Sequence, residues 1–185
     1  FQQQSQQFDV HWKLTNRILF QPALTFQSCY EERQPVPNLG SNACTLSNPD
    51  LLIHACIHRI AHGRNTERNR LIWLYDIHLL WTAMNKEQQA AFIEKTLAKK
   101  IGAVCADALR VCDELFGTVG GTSAATDSSA EPQSPLTRLL QNKANESTAP
   151  LINAGKLRWA WADLMATPGL RARLQFAGEL IRNQV

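Results

Sequence analysis

LLIHACIHRIAHGRNTERNRLIWLYDIHLL, from Leu51 to Leu80, combines the most apolar sequence in the chain with four of its five histidines. Just ahead of it, Ser47-Asn48-Pro49-Asp50 has the Ser-x-x-acid pattern of a capping box, with a proline tolerated in the first turn, so a helix is expected to begin there. At about 100° per residue, His54, His58 and His62 share one stripe, while Leu52, Ile53, Cys56, Ile57 and Ile60 fill most of the remaining circumference. A helix that is apolar nearly all round is a buried helix. Gly63 is placed to end it, and residues 64–70 make a polar connection. A second buried helix is expected from Leu71 to Met84, with bulk from Trp73, Tyr75 and Trp81 and with Asp76 and His78 among apolar neighbours. An unpaired carboxylate in such a place is costly. Asp76 is therefore expected to latch the two helices together through His58, His62 or an arginine of the connection.

Working outward, Asn85 can cap a helix over Lys86 to Lys99, and Ile101 to Phe116 reads as another, stopped by Gly117. Residues 118–134 are rich in Gly, Ser, Thr and Ala and read as a flexible linker or surface loop. A helical appendage follows over 135–185, from Ser134-Pro135, through Leu157 to Met165, to an amphipathic helix opened by Thr167-Pro168 and running to Ile181. Towards the N-terminus, Val36 to Thr45 suits an irregular hairpin and Leu24 to Tyr30 a short helix. Phe8, Val10, Trp12 and Leu14 alternate with Asp9, His11 and Lys13, the signature of a half-buried strand. The glutamine-rich run Gln2 to Gln7 is compatible with a strand or a tail. The fold class expected is mainly α, a multi-helix bundle-like domain preceded by a small β element. Residues 1–46 carry that element, 47–117 the helical domain, 118–134 the linker and 135–185 the appendage.

The chain has 185 residues, 44% of them hydrophobic, which suits one domain or a small pair with a sizeable core. Its net charge of +3 neither demands nor excludes an anionic substrate. The five cysteines are an odd number without a C-x-x-C pair, a usage that fits a reducing, cytoplasmic setting. No apolar run approaches the ~20 residues that span a bilayer and no leader is evident, so a soluble protein without a membrane partner is expected. The first residue is Phe1 and the only methionines are Met84 and Met165, so sequence upstream of Phe1 is expected to be missing.

Three groups of residues can carry chemistry. The histidine stripe has the i, i+4, i+8 spacing that lets imidazoles share a metal, but it lacks the glutamate of H-E-x-x-H, and satisfied structural histidines explain it more simply. Asp76-Ile77-His78 is not the adjacent His-Asp pair of a metal-dependent phosphohydrolase. Arg64, Arg68 and Arg70 can present guanidinium groups to a phosphate, although a solvated loop is the default reading. No interleaving of aromatic and basic residues indicates nucleic acid. The Walker, dinucleotide and nucleophile-elbow signatures are absent. Third, Asp9 stands on the open face of its strand, where a carboxylate can hold a divalent ion or accept a proton once other carboxylates converge on it.

Phe8-Asp-Val-His-Trp-Lys-Leu, Leu46-Ser-Asn-Pro-Asp-Leu-Leu-Ile-His, Cys56-Ile-His-Arg-Ile-Ala-His and Arg70-Leu-Ile-Trp-Leu-Tyr-Asp-Ile together resemble the uncharacterised nucleotidyltransferase family of the DNA polymerase β-like superfamily. The order and spacing fit from about Phe8 to Gly117, the later portion of such proteins. The resemblance implies that the β element is the remnant of an α+β nucleotidyltransferase domain, whose last strand supplies the third catalytic, metal-binding carboxylate at Asp9. It implies transfer of a nucleotidyl group from an NTP to an acceptor, with Mg²⁺ held by three carboxylates that also activate the acceptor hydroxyl. His11, Lys13, His58, His62 and Asp76 are candidates for accessory roles. The Gly-Ser signature and Asp-x-Asp strand expected upstream of the third carboxylate have no counterpart in this chain. One acid does not support two-metal phosphoryl transfer, so residues 1–185 alone are expected to be inactive. The competing expectation is a non-catalytic helical module that binds a partner through residues 64–70.

Overall fold

The computed structural model describes residues 13–15, 17–62, 69–119, 139, 151–152 and 154–182, with His62 described by its backbone only. Asp9 and His11, Gly63, Arg64 and Arg68, and nearly all of the expected linker and the helix after Pro135 lie outside the described residues.

A short 3₁₀ turn, Ile18–Phe20, leads to α1 (Phe26–Glu31), then β1 (Gln34–Pro35) and β2 (Cys44–Thr45). The helices α2 (Asn48–His62), α3 (Leu71–Ala83), α4 (Lys86–Ala98), α5 (Gly102–Phe116), α6 (Lys156–Ala166) and α7 (Leu170–Arg182) follow. The architecture is mainly α, with one small ladder in which Gln34 faces Thr45 and Pro35 faces Cys44 in antiparallel register. Pro35 lacks an N–H to donate, which is tolerated in a ladder of two edge strands.

Local chemistry sets the helix ends. The Ser47 hydroxyl donates to Asp50 Oδ2 at 2.8 Å and accepts the Asp50 N–H at 3.4 Å, opening α2 as its sequence requires. Asn85 Oδ1 accepts the Gln88 N–H at 2.8 Å while Gln88 Oε1 accepts the Asn85 N–H at 3.2 Å, a complete capping box for α4. At the end of α5, Gly117 takes φ +62° and donates its N–H to the Asp113 carbonyl, a left-handed stop that a side chain would strain.

α2 lies at the centre and packs against α3, α4 and α5. Leu52, Ile53, Cys56 and Ile57 are essentially without solvent exposure, as are Leu74, Ile77, Phe92, Val104 and Leu109 from the surrounding helices. Each fully buried Leu, Ile or Phe stabilises the fold by about 1.5–3 kcal/mol relative to an exposed one. Far along the chain, α6 packs on the Ile18–Phe20 turn. Trp159 meets Phe20 edge-on at 5.7 Å, and buried Asp163 accepts from Arg17 Nη1 at 3.1 Å and from the Leu19 N–H at 3.2 Å.

One expectation is overturned. α3 is not buried on most sides: Leu74, Ile77 and Trp81 make a single inward seam, while Leu71, Ile72, Tyr75 and Leu79 are exposed. Asp76 lies on that open side and is itself exposed, so water solvates the carboxylate and no latch is needed there. The latch joins α2 to α5 instead. Arg59, 1% exposed, donates from Nη1 to Asp107 Oδ2 at 2.9 Å and from Nε and Nη2 to Asn69 Oδ1. Asp107 also accepts from Arg110. Among the described residues, no buried side-chain nitrogen or oxygen lacks a partner.

Candidate functional site

Lys13 and Leu14, the end of the expected Asp9 strand, are not in a strand in the structure, and with Thr15 they border a cavity of about 940 Å³. Its other walls are α1, residues 41–42, and β2 with its flank. Thr25 starts α1 by accepting the Ser28 N–H at 3.2 Å, and buried Cys29 turns the inner side of this short helix towards the core. Phe26 and Tyr30, four residues apart, then project together and stack at 5.7 Å with an interplanar angle of 22°. The Arg33 guanidinium lies 3.8 Å above the Tyr30 ring and donates to the Tyr30 carbonyl, extending the stack into a column of ring, ring and cation. Among the described residues, Lys13 and Arg33 are the charged groups of the lining, and no Asp or Glu accompanies them.

The floor beneath α1 is tied by charge. Lys95 Nζ donates to Glu32 Oε2 at 2.6 Å and to Asp50 Oδ1 at 2.8 Å, fastening the end of α1 to the start of α2. Burial alone would lower the Lys95 pKa, but the hydrogen bonds and charges of Asp50 and Glu32 outweigh it and raise it. Burial first, and then the Asp50 charge, push the Cys29 thiol up, so it sits in the cavity wall as a neutral thiol.

A second, smaller cavity of about 250 Å³ is lined by His54, His58, Trp73 and Asp76. His54 Nε2 donates to the Leu14 carbonyl at 3.0 Å, because a carbonyl can only accept, so this histidine holds the backbone that borders the larger cavity. The His54 and His58 rings are 6.0 Å apart, and His58 meets Trp73 edge-on at 5.1 Å. Arg70 places its guanidinium 5.2 Å from the centre of the Trp73 ring. His78 shares a hydrogen bond with the Thr118 hydroxyl at 3.0 Å.

The structure thus brings His58, Asp76 and Arg70 together around Trp73 and places Lys13 on the larger cavity. Asp9, His11, Arg64, Arg68 and the His62 side chain lie outside the described residues. Among the described residues, no group of three or more His, Cys, Asp or Glu side chains is arranged to hold a metal ion. The residues described therefore do not by themselves fit Mg²⁺. Sequence reasoning missed Phe26, Tyr30 and Arg33. Their signal was present as two aromatics at i, i+4 on a short helix with an arginine one turn beyond.

A family model described as an uncharacterised nucleotidyltransferase matches residues 1–117. The chain belongs to this nucleotidyltransferase family. Nucleotidyl transfer is the general chemistry that membership indicates, with an NTP as the accompanying substrate class. No curated protein and no solved structure matches the chain. The nucleotidyltransferase match ends on Gly117, the left-handed stop of α5, so it takes in both cavities and the whole α2–α5 core. Among the described residues, no helix is long and apolar enough to cross a membrane.

Proposed function

We propose that this chain is the C-terminal part of a nucleotidyltransferase that moves a nucleotidyl group from an NTP to an acceptor hydroxyl. In this reading residues 1–46 end the catalytic domain, with Asp9 as one of its three carboxylates, and residues 47–117 form the helical domain that backs the cleft. The family match over residues 1–117 carries the reading. The position of Lys13 supports it: this residue lies four positions after Asp9 and borders the larger of the two cavities. In the transfer, the acceptor oxygen bonds to the α-phosphorus, pyrophosphate leaves, and the hydroxyl proton passes to a carboxylate. Mg²⁺ belongs with Asp9 and with carboxylates that this sequence does not contain, so no step is assigned to the ion here.

Residues 1–185 supplied with Mg²⁺ and an α-labelled NTP should transfer no label to any acceptor; robust turnover would overturn the assignment of missing carboxylates. A longer protein in which a Gly-Ser and an Asp-x-Asp precede Phe1 should transfer. In it Asp9→Asn should lower the rate by at least about a hundredfold, on the order of losing one preorganised charge-stabilising group. An unchanged rate in that variant would remove Asp9 from the site and favour a helical binding module instead.

A further inference from the structure

We propose that the cavity beside α1 is a nucleotide-binding site, in which Lys13 and Arg33 take the phosphate and the exposed face of Phe26 takes the planar base. Its volume of about 940 Å³ suits a ligand of that size. The charged groups of the lining among the described residues are both positive. Among the described residues neither Lys13 nor Arg33 pairs with a carboxylate, so both cations are available to an anion. Arg33 is also aimed. The bond to the Tyr30 carbonyl and the stack on the Tyr30 ring fix its guanidinium at the cavity wall and, among the described residues, leave its other N–H donors unused.

The aromatic pair distinguishes a nucleotide from a bare anion. Phe26 is 74% exposed and Tyr30 50% exposed, an arrangement that leaves apolar ring surface in water. Tyr30 covers one face of Phe26, and a base stacking on the other would continue the column begun by Arg33. Thr45, Ser41 and Asn42 in the same lining offer hydroxyl and amide groups to a sugar or base edge. Naming the anion as a nucleotide's phosphate rests on the nucleotidyltransferase reading, whereas the cation and ring geometry does not. The same chemistry is presented by the donor NTP and by a nucleotide end of an acceptor.

Calorimetric titration of residues 1–185 in EDTA with ATP, AMP, adenosine and inorganic triphosphate tests the site and separates these sources. ATP should bind, and more weakly as salt is raised. The double variant Lys13→Gln, Arg33→Gln should weaken ATP by at least about tenfold. Phe26→Ala should weaken ATP and adenosine by about tenfold while leaving triphosphate unchanged. ATP binding about tenfold tighter than AMP identifies a donor site, and equal binding identifies an acceptor site. Should the double variant fail to fold by circular dichroism, Arg33→Lys, which keeps the charge and loses the aimed fork, replaces it and should still weaken ATP. The proposal is overturned if folded protein binds neither ATP nor AMP at millimolar concentration. Triphosphate binding as tightly as ATP with indifference to Phe26→Ala would overturn it equally. Binding without transfer in the longer protein would remove the catalytic reading and leave this one. Transfer with an unchanged KM in the cavity variants would do the reverse.

Discussion

Arg59 and Asp107 show what a charged residue inside an apolar helix does in this chain. Burial alone would raise the Asp107 carboxyl, but Arg59 and Arg110 outweigh it and hold it below the usual carboxylate range. Asp107→Asn should leave Arg59 buried without its counter-charge and cost about 3–5 kcal/mol in urea unfolding at neutral pH. Because the folded-state pKa is depressed, this stability is complete above the unfolded value near about 3.9 and is lost as pH falls through the lower folded value. The gap between wild type and Asp107→Asn should therefore narrow steadily from about pH 5 to about pH 2. Asp76→Asn should change stability by less than about 0.5 kcal/mol, because its carboxylate is exposed. Both acids sit among apolar residues in the sequence, and Asp76 drew attention because its neighbours are larger. Asp107 lies between Cys105-Ala106 and Ala108-Leu109, where small side chains let another helix approach and bring a cation. That partner is 48 residues away, a distance no local pattern reports.

The helix ends were legible because capping is decided within four residues. Asn85→Ala should cost about 1 kcal/mol by thermal or urea unfolding. Gly117→Ala should cost about 1–2 kcal/mol from the left-handed backbone alone, since a Cβ there would meet nothing within 4 Å. The exposure of α3 was not legible. LIWLYDIHLLWTA is apolar almost throughout, so periodicity cannot show which side faces inward, and only packing against α2 and α5 selects the Leu74, Ile77, Trp81 seam. The wall of the larger cavity was hidden for another reason. α1 spans only residues 26–31, too short for an amphipathic pattern, and its significance comes from Lys13 and the hairpin meeting it in space.

Across the whole molecule the five cysteines provide a readout of integrity. Cys44 is exposed, while Cys29, Cys56, Cys105 and Cys112 are buried. Burial, with a smaller contribution from Cys56, pushes the Cys112 thiol up to about 12, although Arg59 opposes it. An aromatic disulfide reagent at pH 8 should therefore label one thiol quickly in native protein and all five in urea. Fast labelling of a second thiol would mean that the core opens without global unfolding. The fold class and the family were readable from residues 8–117, and a tail packed on the main body was expected, but its seat was not. α6 docks on the Ile18–Phe20 turn through Trp159, while Leu170, Leu174 and Ile181 of α7, among the residues expected to need cover, stay exposed.

That attachment also bears on the order of events during synthesis. The bond from Arg17 to Asp163 spans 146 positions, so the segment leading into the cavity cannot be clamped until α6 has left the ribosome. α2 to α5 are complete long before then, and their mutual contacts need nothing from α6. A nascent chain therefore holds a formed helical core while the edge of its larger cavity is still unfastened, and α6 fastens that edge once it emerges.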